Sequence, residues 1–350
     1  MGVIFTYPTN YELTRIGQLY VAKQESARPL LQLFPTVNSD AGKVRWVQKD
    51  TYYGMQQLRG LDGQPAHIFR VGQNVYEYDP GVFGEFASIN EAELTTRAGS
   101  IQSGEPISIA DLVMEAQEEL LNRELTLKES VIASLITTGT WTVSNANMTW
   151  TDTFSIQTAR RAVDWRTSGT ATPLVDFRGV QQKSLGYSVR FDGSAKAYLN
   201  RATANSLLNN TNTADIGGRR NAYGATVNSI PEFSRILLGE DLPQLVVCDD
   251  GYYATKAVAG TGGTGFTKYL PDGYVVIIGG RTTGEPVGEY KLTRNMVNGG
   301  QPGSYSRVVD TTQPVNGVTP VPPKIDVHRG HNGGPVLYFP SAIVAMTVWS

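Results

Sequence analysis

Residues 108–137, SIADLVMEAQEELLNRELTLKESVIASLIT, hold the one long helical period in this chain. Ile109, Val113, Ala116, Leu120, Leu127, Val131 and Leu135 recur at steps of three, four or seven, and Leu112, Leu121, Leu125, Ile132 and Ile136 widen the stripe. Neither Gly nor Pro interrupts it. Ser108 stands at the N-cap position with Asp111 three residues on, and Gly139 supplies the stop. Such a helix is about 45 Å long. Its polar positions are acidic: Asp111, Glu115, Glu118, Glu119, Glu124 and Glu129 oppose only Arg123 and Lys128. That face does not suit phosphate. It reads as a solvated face, or as a spine with a second protein surface against it.

The rest of the chain is turn-rich. Residues 1–43, broken by Pro8, Pro29 and Pro35, read as an extended arm with a short helix near Glu12 to Lys23. Residues 44–85 read as a long hairpin turning at Asp62-Gly63, its strands marked by Trp46, Tyr52, Tyr53, Phe69, Tyr76 and Tyr78. An isolated hairpin is marginal in water, so it needs a partner surface. Residues 86–107 read as a linker. A shorter hairpin follows the spine at 139–152, then a short helix from Ser155 to Thr167. Beyond 171, Asp-Gly and Asn-Gly pairs separate short helices (Arg201 to Leu208, Ser229 to Leu238) from strands at 242–249, 274–280 and 336–348. The tract 298–323 reads as an exposed loop. The fold class is α+β with a mixed sheet.

Composition narrows the function. With 350 residues there is room for two domains, and a net charge of -2 argues against a strongly basic nucleic-acid binder. Cys248 is the only cysteine, so neither a disulfide framework nor a cysteine zinc site is available. The N-terminus lacks a signal-peptide pattern, and the apolar run Val336 to Trp349 contains Pro340 and is too short to span a bilayer. A soluble protein made in a reducing cytoplasm is expected. The myristoylation letters at Met1-Gly2 with Thr6 and the sequons at Asn147 and Asn209 read as chance matches.

No catalytic constellation emerges. Gly260 to Gly265 has the letters of a dinucleotide fingerprint, but the preceding strand ends too early and a strand follows where a helix is needed. Asp326, His328 and His331 form a D-x-H-x-x-H cluster, short of the three or four good ligands zinc needs, and read as hydrogen bonding within a tight turn. Asp249 and Asp250 point to opposite faces of a strand, which is poor geometry for an acid–base pair. Gly217-Gly218-Arg219-Arg220 is a small basic surface turn. The expectation is no enzyme, no catalytic, cofactor or metal residues, and no cofactor.

The order of parts is arm, long hairpin, spine helix, short hairpin and turn-rich α+β region. It resembles the major capsid protein of tailed bacteriophages, the Hong Kong 97-type fold. Local wording resembles the lambda-like E family: PGVFGEFASINEAELTTR (80–97), ATANSLLNNTNTADIGGRR (202–220), LPQLVVCDDGYY (242–253), YLPDGYVVIIGGRTTGEPVGEY (269–290) and HNGGPVLYFPSAIVAMTV (331–348). The resemblance implies an N-terminal arm at 1–43, an extended loop at 44–85 lying on an adjacent subunit, a peripheral domain at 86–170 and 335–350, and an axial domain at 171–334. It implies self-assembly in pentamers and hexamers into an icosahedral virion shell around double-stranded DNA, held without sequence-specific binding. It further implies assembly in the bacterial host cytoplasm, with portal, scaffolding and decoration or cement proteins as partners and scaffolding supplied by another chain. Some family members weld the shell through a Lys–Asn isopeptide bond. Lys43 and Lys49 lie near the hairpin, but no pattern marks a partner for them. In this reading the arm and the hairpin gain their burial only on sibling copies. The alternatives are another phage structural protein, such as a tail tube or adhesin, and more distantly a mixed-sheet hydrolase using Asp249, Asp250 or His328.

Overall fold

The structure, a computed structural model, describes residues 8–49, 55–56, 75–93, 108–144, 149–167, 169–185, 187–210, 229–253, 265–281, 284–312 and 323–349. The chain divides into two compact units: Met1–Arg45, Glu77–Glu129 and Glu289–Val336 form the first, and Trp46–Tyr76, Ser130–Gly288 and Leu337–Ser350 the second. The division cuts across the boundaries drawn from sequence. It falls within the long helix after Glu129, separates 289–334 from the rest of the stretch 171–334, and parts 335–336 from the closing strand.

The first unit is built on a five-stranded sheet. Its centre is a 14-residue strand, Lys324–Leu337, flanked on one edge by Gly81–Asn90. On the other side lie Tyr305–Asp310 and Gly288–Leu292, the latter carrying Thr36–Asn38 in parallel. Three expectations change here. The presumed linker at 86–107 begins as a strand, the presumed loop at 298–323 contains one, and the histidine tract is no tight turn. The long strand is rich in glycine because its neighbours approach closely. A Cβ on Gly330 would lie 2.5 Å from the Phe83 carbonyl oxygen and 2.7 Å from the Tyr305 hydroxyl, and one on Gly333 would lie 2.2 Å from the Lys291 carbonyl oxygen. Backbone atoms cannot yield there without parting the strands. Gly330→Ala should therefore destabilise the protein by about 1–3 kcal/mol, read as a lowered urea midpoint, and an unchanged midpoint would refute the close-approach account.

The first helix, Asn10–Ala27, starts in a full capping box between Thr9 and Glu12. It buries Leu13, Gly17 and Val21, and it is followed by Leu30, Leu31 and Phe34, all at 2% exposure or less. Leu13 joins Leu112, Val113, Leu120, Ile89, Val308, Ile325 and Val327 in one apolar core. This corrects the expectation that the leading segment has no core of its own: residues 10–38 fold on their own chain. The long helix itself spans Ile109–Thr138, as its period predicts, and Gly139 ends it at φ +71°.

The second unit holds another five-stranded sheet, ordered Gln244–Val247, Lys196–Leu199, Tyr274–Ile278, Ile343–Thr347 and Gln157–Arg160. Val275, Val276, Ile277, Ile343 and Val344 are fully buried. Helices Pro173–Gln181, Arg201–Leu208 and Ile230–Gly239 belong to this unit. The helix expected at 155–167 is instead a strand at 157–160 followed by turns, because its backbone pairs in parallel with the apolar closing strand. Pro340 breaks the expected strand at 336–348 into the end of the long strand, a short 3-10 turn and Ile343–Thr347. The shorter hairpin is present as Thr140–Ser144 against Thr149–Thr153. Of the long hairpin, the roots Val44–Val47 and Val75–Tyr78 pair, while its turn at Asp62-Gly63 lies outside the described residues. All five tryptophans fall in the sequence of this unit, and Trp46, Trp141 and Trp165 are buried. Trp165 packs on Phe177 and donates its indole N–H to Asp176 at 2.8 Å.

Candidate functional site

The acidic face of the long helix divides into two parts. Asp111, Glu115, Glu118, Glu119 and Arg123 are exposed, as expected, and Arg123 pairs with Glu85 on the strand Gly81–Asn90. Glu124, Lys128 and Glu129 are buried, against expectation. Gln117, Glu124 and Lys128 recur at steps of seven and four, so they share one face of the helix. The long strand sends Arg329 and His331, two residues apart and so on one sheet face, into the same cluster.

Glu124 is the hub. Its Oε2 accepts from Arg329 Nε at 2.6 Å, and its Oε1 lies 3.1 Å from Lys128 Nζ. Arg329 spends its other nitrogens on Ser306 Oγ (2.9 Å) and Ser304 Oγ (2.8 Å), and Gln117 also donates to Ser306 Oγ at 2.6 Å. Lys128 sits 3.9 Å from Glu25 and 5.4 Å from the centre of the Tyr290 ring. Arg28 reaches Glu129 at 2.7 Å. The Tyr290 hydroxyl and His331 Nε2 are 3.1 Å apart, while His331 Nδ1 lies 3.6 Å from Glu124. A neutral imidazole protonated on Nδ1 suits both contacts: it accepts from tyrosine and points its N–H toward the carboxylate.

Burial opposes ionisation of Glu124, but the charges of Lys128 and Arg329 outweigh it and hold its pKa below the usual carboxylate range. Burial pushes His331 down to about 4; Glu124 opposes this, and Lys128 and Arg329 add to it. The imidazole is therefore neutral at pH 7. Burial, followed by the Glu124 charge, raises the Tyr290 phenol above its ordinary value. The cluster is a closed ionic core, built for cohesion and sensitive to protons.

The sequence motifs are scattered. Asp326 and His328 lie on the sheet face opposite His331: Asp326 pairs with Lys324 at 2.7 Å and Ser88, and His328 stacks on Phe86. Among the described residues no group of three or more His, Cys, Asp or Glu is placed to hold a metal, and no helix is long and apolar enough to cross a membrane. The Asp249 carboxylate accepts from the Arg201 backbone N–H (2.6 Å) and from Arg201 Nε (2.9 Å), while the Asp250 carbonyl accepts from Tyr269 N–H. Lys43 lies 3.4 Å from Asp79, and Lys49 pairs with Glu285 at 2.9 Å. Gly217 to Arg220, and all of Gly260 to Gly265 but its last residue, lie outside the described residues.

No protein-family model and no curated protein matches the sequence. Solved structures do match the fold. A phage-related protein from Bordetella bronchiseptica RB50 superposes with a TM-score of 0.57 over 98% of both chains at 10% identity. A protein assigned to the capsid of a prophage of Escherichia coli CFT073 superposes with a TM-score of 0.57, over 96% of this chain and 98% of that one, at 13% identity. The chain has the Hong Kong 97-type fold.

Proposed function

We propose that this chain is the major capsid protein of a tailed bacteriophage, assembling into the icosahedral shell that encloses a double-stranded DNA genome. The observation that carries this reading is the likeness over nearly the whole of both chains to a protein assigned to a prophage capsid. Its mechanism is association without turnover. Identical copies in head-to-tail contact close into rings, and five- and six-fold rings tile a shell. A net charge of -2 suits a container that holds DNA without gripping it by sequence. Apolar side chains left in water support lattice contacts: Tyr11, Val82, Phe86 and Leu185 are each more than half exposed.

In this reading residues 44–85 include the loop that lies on a neighbour, 86–170 with 335–350 form the peripheral region, and 171–334 the axial region. The leading segment is not an arm wholly dependent on siblings, since residues 10–38 carry their own core. Portal, scaffolding and decoration proteins are the expected partners, and the virion, assembled in the host cytoplasm, is the expected location. Negative-stain microscopy of the purified full chain, concentrated stepwise, should show pentameric or hexameric rings or closed shells. Smooth tubes would favour a tail component, and a monodisperse monomer at every concentration would overturn the shell reading.

A further inference from the structure

The strand Tyr305–Asp310 ends one side of the first unit's sheet, and the first helix covers its outer edge. Side chains of that helix satisfy backbone groups that a neighbouring strand would otherwise take. Val308 N–H donates to Asn10 Oδ1 at 2.8 Å, Ser306 N–H donates to Thr14 Oγ1 at 3.3 Å, and the Thr14 hydroxyl lies 3.3 Å from the Ser306 carbonyl. Covering an edge in this way prevents pairing with another chain.

The cover is fastened mostly by polar contacts. Its buried positions are only Leu13, Gly17 and Val21, while Tyr11 and Leu19 face water at 75% and 66% exposure. The fastenings are Arg28 to Glu129, Glu25 to Lys128, Tyr20 to Asn122 at 3.1 Å and Gln117 to the Leu13 carbonyl at 3.5 Å. Immediately beyond lies a joint. Arg28 is extended (φ -104°, ψ 116°), Pro29 follows, and Leu30, Leu31 and Phe34 fix the chain to the body. An 18-residue helix is marginal on its own in water, so once lifted its amides open to solvent.

We propose that helix Asn10–Ala27 is a hinged guard, fastened by the buried ionic core, whose lifting about residues 28–29 opens the Ser306–Val308 edge to an extended strand of a second copy. The pairing step rests on the shell reading; the guard does not. The test is hydrogen exchange and sedimentation of the full chain, wild type against Arg28→Ala. Amides 13–27 should exchange roughly tenfold faster or more, together with those of Ser306 and Val308, while amides 325–329 hold their rate. Association should rise in step. If 325–329 quicken equally, or 306 and 308 do not respond, the guard is overturned. Lifting without association overturns the pairing step and leaves the shell reading to microscopy. Asn10→Ala, at an exposed position, serves if Arg28→Ala does not fold; because it removes the Val308 acceptor directly, it must quicken Ser306, which Thr14 holds, together with amides 13–27.

Discussion

Glu124→Ala should destabilise the first unit by about 3–5 kcal/mol at neutral pH, because it leaves Lys128 and Arg329 buried without their shared carboxylate. The size follows from where the pair sits. Both side chains of the Arg329–Glu124 bridge are under 5% exposed, so water cannot replace the lost partner. Ser304 and Ser306 still accept from Arg329, but neither carries charge. The control is Glu85→Ala, which breaks the bridge to Arg123, where both side chains are at least half exposed. That change should cost under about 1 kcal/mol. Urea denaturation followed by far-UV circular dichroism compares the two. Equal costs would mean that the buried hub contributes no more than a surface pair.

Acid should loosen the same unit from about pH 6.5 downward. His331 titrates near 6.5 when unfolded and is lowered to about 4 in the fold. Between those values the unfolded chain binds the proton and the native one does not, so stability falls as pH falls through this window. It is fully present above pH 6.5. The loss by pH 4 is about 3 kcal/mol, at 1.36 kcal/mol per pKa unit. Glu124 adds in the same direction: its pKa is held low, so its contribution exists above the ordinary carboxylate range and fades as the pH drops toward its folded value. His331→Gln removes the upper part of this slope and keeps a polar partner beside Tyr290. Midpoints measured from pH 7 to pH 4 should run flatter in the variant. Parallel slopes would place the acid sensitivity elsewhere.

Which parts of this were legible in the sequence follows from range. The long helix was readable to within a residue because its period, Ser108 and Gly139 are local signals. The shorter hairpin was readable for the same reason. The long strand was not, because Gly330, Gly333 and Gly334 read as turn formers, whereas strands crowding either side require the bare backbone. The ionic core escaped because helical period says that Glu124 and Lys128 share a face but not what covers it. The cover, Arg329 and His331, lies some two hundred residues away. One local hint was present: Arg329 and His331 stand two apart, just before the uncharged tract 332–348. The strand at 157–160 shows the same limit, since its partner is the far end of the chain.

The placement of the tryptophans has an optical consequence. With all five in the second unit, indole emission reports chiefly on that unit. A Glu124 variant or an acid titration can therefore change ellipticity before it changes fluorescence. The separation of the two curves marks which half of the polypeptide gives way.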